Sequence, residues 1–195
     1  AKISVEFDDD QGFKDPLMIF ADSLEKNEDV PQVNDANVYL VTDSNLSNIP
    51  ASKRIVYFKP GVYNINKWEI PPTVDQVYIA GGAYVKGYLY STSKRSGLKI
   101  NGRGILTADG YGYHYPENRM IVGDKNYFAF YMMVFIKGGQ NHILDGITIT
   151  EATSFNIFLD AAQSLINDVK IISFRYNNDG MSINSHNNTI TNCFI

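Results

Sequence analysis

Three stretches decide the fold: IVYFKPGVYNI (55–65), QVYIAGGAYVKGYL (76–89) and LKINGRGILTADG (98–110). Each runs a short β-rich segment through a glycine-containing turn into a second β-rich segment. Placing Phe58, Ile79 and Ile100 in line, 21 residues apart, also aligns Gly61 with Gly82 and Gly81 with Gly102. Farther along, ILDGITI (143–149), LINDVKI (165–171) and TITNCFI (189–195) repeat an apolar, polar, apolar template at intervals of 22 and 24. The interval from Ile100 to Ile143 is 43 residues, about two such units.

A period near 22, rich in β-branched residues and without a 3.6-residue pattern, is the signature of a stacked solenoid. A leucine-rich repeat would carry Leu at fixed offsets and a helical signal, and neither is present. The expected fold class is therefore all-β, a right-handed parallel β-helix. Inward positions take Ile, Val, Leu and Phe. Asn at the turns tolerates unusual backbone angles and can stack in hydrogen-bonded ladders.

The first part of the chain is different. AKISVEF alternates like a strand, and DPLMIFADSLEKNEDVPQVND mixes an apolar burst with a polar, Pro-containing stretch. Residues 1–35 are expected to be the end of an amino-terminal β-sandwich and a linker, and residues 36–195 the first coils of the β-helix. TNCFI at the carboxyl end does not resemble a solenoid cap, which would cover open strand edges. The chain is thus expected to be the front portion of a longer protein. YGYHYPENRM (111–120) breaks the rhythm as an inserted loop, whereas YFAFYMMVF (127–135) reads as core and strand.

Composition excludes several classes. Among 195 residues the net charge is −4, which argues against a nucleic-acid surface. No apolar run reaches the ~18 residues that would span a membrane. Ala1 does not open a signal peptide, so either a leader is removed or the chain starts inside a longer protein. Cys193, the single cysteine, offers neither a disulfide nor a metal set and reads as a small core residue. Asp8–Asp10 lack the spacing of a calcium loop. AGGAYVKG does not match a phosphate-binding glycine loop, and no cofactor or metal is expected. The sequons at Asn45 and Asn187 would matter only in a eukaryotic secretory host.

Asp179, in Asn177-Asn178-Asp179-Gly180, is the sharpest chemical candidate. The segment suits a plain turn. It is also flanked by strand-like IISFRY and MSI, and an acid at a strand end on a solenoid face suits polysaccharide chemistry. Tyr176, Asn178 and His186 are candidate sugar contacts around it. Tyr115, with Tyr111 and Tyr113, could stack on a pyranose ring. Trp68 and His142 read as structural. His114 is a further candidate, although a lone histidine more often serves as a surface or satisfied polar group. Arg119 and Lys86 read either as groove cations or as simple surface charge, and Asp160 is a second isolated acid with no assigned role.

YLVTDSN, IVYFKPGVYNI, VYIAGGAYVKGYL, INGRGILTADGYGY and YNNDGMSI, in this order, resemble glycoside hydrolase family 49. The family's dextranases and isopullulanases join an amino-terminal β-sandwich to a right-handed parallel β-helix. The resemblance implies inverting, endo-acting hydrolysis of α-glucan, with the α-1,6 linkages of dextran as first expectation. It implies three catalytic aspartates. The first matches Asp179, on the water-activating side. The adjacent pair, including the general acid, would fall just past Ile195. A secreted or periplasmic monomer acting on polysaccharide, without nucleic-acid or membrane partners, is expected. The alternatives are an isopullulanase acting on pullulan, a polygalacturonase-like pectin hydrolase, or a non-catalytic polysaccharide-binding β-helix. A polyuronide would call for several cations near Asp179, and only Arg175 is close in sequence.

Overall fold

The computed structural model describes residues 2–5, 17–42, 46–111, 132–174 and 178–195. From Val38 onward the chain winds as a parallel β-helix with three walls. Wall one stacks β3 (Val38–Val41), β4 (Ile55–Phe58), β6 (Gln76–Ile79), β8 (Lys99–Gly102), β11 (Ile143–Asp145), β14 (Leu165–Asn167) and β17 (Thr189–Thr191), all parallel neighbours. Wall two holds the first halves of β5 (Gly61–Glu69) and β7 (Ala83–Ser91), then β9 (Ile105–Thr107), β12 (Thr148–Thr150) and β15 (Lys170–Ile172). Wall three holds the second halves of β5 and β7, then β10 (Val134–Gln140), β13 (Ile157–Ala162) and β16 (Met181–Ile183). The expected fold class is the one observed.

β5 and β7 bend across two walls without a break. Tyr84–Lys86 pairs with β9, whereas Leu89–Ser91 pairs with β10. Between them Gly87 has φ +137°, and a Cβ there would lie 2.2 Å from the Asn66 carbonyl oxygen. Only glycine lets the two coils approach at this bend. In later coils the connection across the same corner, from β9 to β10, β12 to β13 and β15 to β16, is longer. This corner is the one that carries Asp179.

The other corners turn on single left-handed residues. Gly146, Asp168 and Asn192 follow the wall-one strands at φ +81°, +54° and +56°. Asn141, Gln163 and Asn187 precede them at φ +60°, +52° and +58°. Asn and Asp bear this conformation at least cost among residues with a Cβ. Side chains then ladder outside wall one: Asn192 Nδ2 donates to Asn167 Oδ1 at 2.9 Å.

The core is a column of matched rungs. Val56, Val77, Ile100, Leu144 and Ile166 stack inside wall one, all buried. Val85, Leu106, Ile149 and Ile171 do so inside wall two. Each such side chain contributes roughly 1.5–3 kcal/mol through removal from water. Trp68 is buried edge-on against Phe58, with ring centroids 6.5 Å apart, as packing predicts. Cys193 is half-buried against the core.

The repeat register differs from expectation in two places. Phe58 lies opposite Ile79, as the 21-residue spacing predicts, but Ile79 lies opposite Gly102 and Val77 opposite Ile100. The second coil absorbs one extra residue in the turn at 80–82 and another in 92–98. Gly61 accordingly lies opposite Ala83, its N–H donating to the Gly82 carbonyl. The second difference concerns the interval from Ile100 to Ile143. Ile143 pairs directly with Lys99, so that interval is one coil with a long connection between β9 and β10, not two coils.

β1 (Lys2–Val5) and β2 (Leu17–Phe20) form an antiparallel pair. The chain after β2 runs as a strap along wall one. Phe20 meets Phe194 edge-on at 5.1 Å, Lys170 pairs with Asp22, and Tyr78 Oη donates to Glu25 at 3.1 Å. The Asp29 carbonyl accepts from Gln76 Nε2 and Asn101 Nδ2, both at 3.1 Å.

Candidate functional site

Asp179 stands at the corner between walls two and three, two residues before β16, with an exposed side chain. Its backbone is held from the coil below. The Asn156 N–H donates to the Asp179 carbonyl at 2.9 Å, and Asn156 Nδ2 donates to the same oxygen at 3.1 Å. The Ile157 N–H donates to the Gly180 carbonyl at 3.1 Å. The carboxylate therefore projects from a rigid edge while its peptide is fixed to the neighbouring coil.

Asn178, a predicted sugar contact, is half-buried and its side chain is engaged on this corner. Its Oδ1 accepts from Asn156 Nδ2 at 2.5 Å. Its Nδ2 donates to the Ala152 carbonyl at 3.0 Å and to Ser173 Oγ. Ser173 Oγ also accepts from the Ala152 N–H at 2.9 Å. Ala152 and Asn156 are thus laced to Ser173 and Asn178 by amide and hydroxyl groups.

His186 is exposed but is not brought beside Asp179. It lies at the corner between walls three and one, with the whole of β16 between them. Tyr176 and Tyr115 lie outside the described residues, as do His114, Tyr113 and Arg119. Asp160 lies outward on β13, in register with Lys137.

Down the same corner, Tyr111 Oη donates to Asn64 Oδ1 at 2.5 Å, and its ring meets Tyr88 edge-on at 5.3 Å. Burial pushes the Tyr111 phenol upward, so it remains a protonated donor. Tyr88 Oη and Thr153 Oγ1 share a buried hydrogen bond of 2.9 Å. Lys86 pairs with Asp109 at 3.0 Å, so it is a balanced cation and not an isolated one. Tyr90, Phe135 and Phe158 stack outside wall three at 5.3 Å spacings, but only Phe158 keeps appreciable exposure.

Residue-by-residue reading missed Asn156, Thr153 and Ser173. A faint signal exists for the first: TSFN before β13 and YNNDG before β16 both place side-chain amides just ahead of a wall-three strand. His142 is buried as expected. Its Nδ1 accepts from the Leu98 N–H at 3.1 Å, and Nε2 lies 3.1 Å from the Gly138 carbonyl. Burial holds its imidazole below the ordinary histidine range. Among the described residues no group of three acids, histidines or cysteines is arranged to hold a metal.

A pocket of about 300 Å³ lies away from this corner, between the strap and wall one. Its charged lining is largely self-paired: Lys99 with Asp29, and Arg103 with Asp145 at 3.8 Å. Asp179 is not part of it.

No family model matches the chain. Isopullulanase of Aspergillus niger is 28% identical over 206 aligned residues, covering 93% of this chain and 36% of that protein. A dextranase of Arthrobacter sp. (strain CB-8) is 30% identical over 116 residues, covering 54% of this chain and 18% of that protein. The solved structure of Dex49A from Penicillium minioluteum superposes with a TM-score of 0.66 at 25% identity, covering 86% of this chain and 33% of that one. The chain therefore spans about a third or less of the length of these relatives. These likenesses bear out the resemblance to glycoside hydrolase family 49: the chain is dextranase/isopullulanase-like.

Proposed function

We propose that the full-length protein is an inverting, endo-acting glycoside hydrolase of α-glucan, cleaving the α-1,6 linkages of dextran, and that Asp179 activates the attacking water. One observation carries the reading: an exposed carboxylate stands on a solenoid corner whose peptide is hydrogen-bonded to the coil below. Inversion needs two carboxyl groups ~6.5–9.5 Å apart, so that water fits beneath the sugar while an acid protonates the leaving oxygen. Neighbouring coils rise by ~4.8 Å, and side-chain reach brings acids on successive coils into that range. In a protein that continues the solenoid, the resemblance expects the general acid one coil farther on. Acids at such distances push their pKa values apart, leaving one protonated and one ionised.

In this reading residues 1–35 close a preceding β-sandwich, and residues 36–195 open the catalytic solenoid. Tyr176, Asn178, His186 and Tyr115 are proposed as sugar contacts, with His186 reaching only a more distant sugar unit. A polymeric substrate too large to enter a cell places the protein outside it, in the medium or the periplasm. The protein works as a monomer and uses no cofactor.

The breadth of the isopullulanase match favours a second reading, in which the substrate is pullulan. The test is incubation of the full-length protein with dextran and with pullulan, followed by proton NMR of the first product. Inversion of an α-linkage gives the β-anomer first. An α-anomer, or no cleavage of either glucan, would overturn the proposal.

A further inference from the structure

We propose that Asn156 is a positioning residue for Asp179, an inference that rests on the reading of Asp179 as the water-activating group. Asp179 is followed by Gly180, whose missing Cβ leaves the intervening peptide unusually free to rotate. The Asp179 side chain is exposed and is not what anchors the segment. The direction of its Cα–Cβ bond relative to the stack is tied, through ψ of Asp179, to where the carbonyl of that residue points, and the side-chain torsions start from there. Asn156 grips this carbonyl twice, through its backbone N–H at 2.9 Å and its Nδ2 at 3.1 Å. The first bond belongs to the ordinary parallel ladder. The second is an addition that only a side-chain donor at this place can make. The same Nδ2 donates to Asn178 Oδ1 at 2.5 Å, so one amide group holds two consecutive residues.

The residue is kept at a cost. Asn156 is fully buried, and among the described residues its Oδ1 has no hydrogen-bond partner. An orphaned buried acceptor is unfavourable, and an apolar side chain of similar size would remove it. Plain packing thus favours a residue other than asparagine here. The donors of Nδ2 explain its presence, and both of its acceptors belong to the two residues that carry the candidate carboxylate.

The experiment compares the full-length enzyme with Asn156→Leu, Asn178→Ala and Asp179→Asn on dextran. It reads kcat, KM, the pH profile of kcat and the unfolding midpoint. Asn156→Leu is expected to lower kcat ~10- to 100-fold, the effect of a small misplacement at the reacting centre. KM and the unfolding midpoint should stay near the parent values, while the acid limb of the kcat profile moves. Asn178→Ala also removes a proposed sugar contact, so it should raise KM as well as lower kcat and move the acid limb in a milder form, and it serves if Asn156→Leu does not fold. Parent-like kcat in the folded variants would overturn the proposal. So would a loss of kcat that follows the loss of folded protein with an unmoved acid limb. If Asp179→Asn itself turns over normally, the reading of the site fails and this inference fails with it. If Asp179→Asn is inactive while Asn156→Leu is normal, only the positioning role fails.

Discussion

Asn156 and Asp179 are joined by two hydrogen bonds to one oxygen: both the main-chain N–H and the side-chain amide of Asn156 donate to the Asp179 carbonyl. The pair spans adjacent coils at the corner where walls two and three meet. A rigid stack thereby holds an acid at its edge, and much of the chemistry proposed here depends on that rigidity.

The stack itself can be tested at two glycines of the opening motifs. Gly102 has φ +131°, and a Cβ there would fall 2.0 Å from the Ile79 carbonyl oxygen on the coil below. Gly81 has ordinary φ, and its nearest contact would be 3.7 Å away. Gly102→Ala should therefore lose about 1–3 kcal/mol from the dihedral alone, with more from the clash. Gly81→Ala should stay within about 0.5 kcal/mol of the parent. Urea denaturation of the full-length protein separates the two, and equal effects would contradict the inter-coil register.

Lys170 is 2% exposed and is placed between Asp22 of the strap and Asp168, whose Oδ1 lies 3.1 Å from Nζ. Its Nζ also donates to the Asp168 carbonyl at 2.9 Å. Lys170→Ala would leave the buried Asp168 carboxylate with only the longer Arg103 pair at 3.7 Å, a loss of up to about 3 kcal/mol. Lys170→Met with Asp22→Leu and Asp168→Asn should recover part of it. Limited proteolysis between residues 20 and 37 should accelerate in the single variant. An unchanged cleavage rate would show that this lysine does not hold the strap.

His142 predicts a pH dependence. Burial lowers its pKa in the fold, against hydrogen bonds that raise it. The unfolded chain therefore binds the proton first as pH falls. The stability due to neutral His142 is complete above the unfolded value of ~6.5 and is lost as pH drops through the folded value. Denaturation midpoints at pH 7.5 and 5 should converge in His142→Gln relative to the parent. Equal slopes in both proteins would contradict this.

The solenoid was legible because its signal is repeated: Leu144, Ile166 and Ile190 recur in successive coils at the expected registers. Coil length was less legible. Turns at 80–82 and 92–98 absorb extra residues, and β5 shifts register against β7 between Asn64 and Asn66, so equal spacing in sequence did not mean equal height in the stack. Asp179 could be picked out as an unusual acid in a turn of asparagines. Asn156 could not, since its role arises only when a residue 23 positions away is laid above it. His186 shows the converse: it is near Asp179 in sequence but is separated from it by the width of a wall.

The most direct measurement is turnover of dextran by the full-length protein and its Asp179→Asn variant, at matched folded concentration. A positioned general base contributes ~10²–10⁴-fold, so the variant should lose at least ~100-fold in kcat while its unfolding midpoint stays in place. Turnover within a few-fold of the parent would contradict the assignment of the water-activating role to this corner of the solenoid.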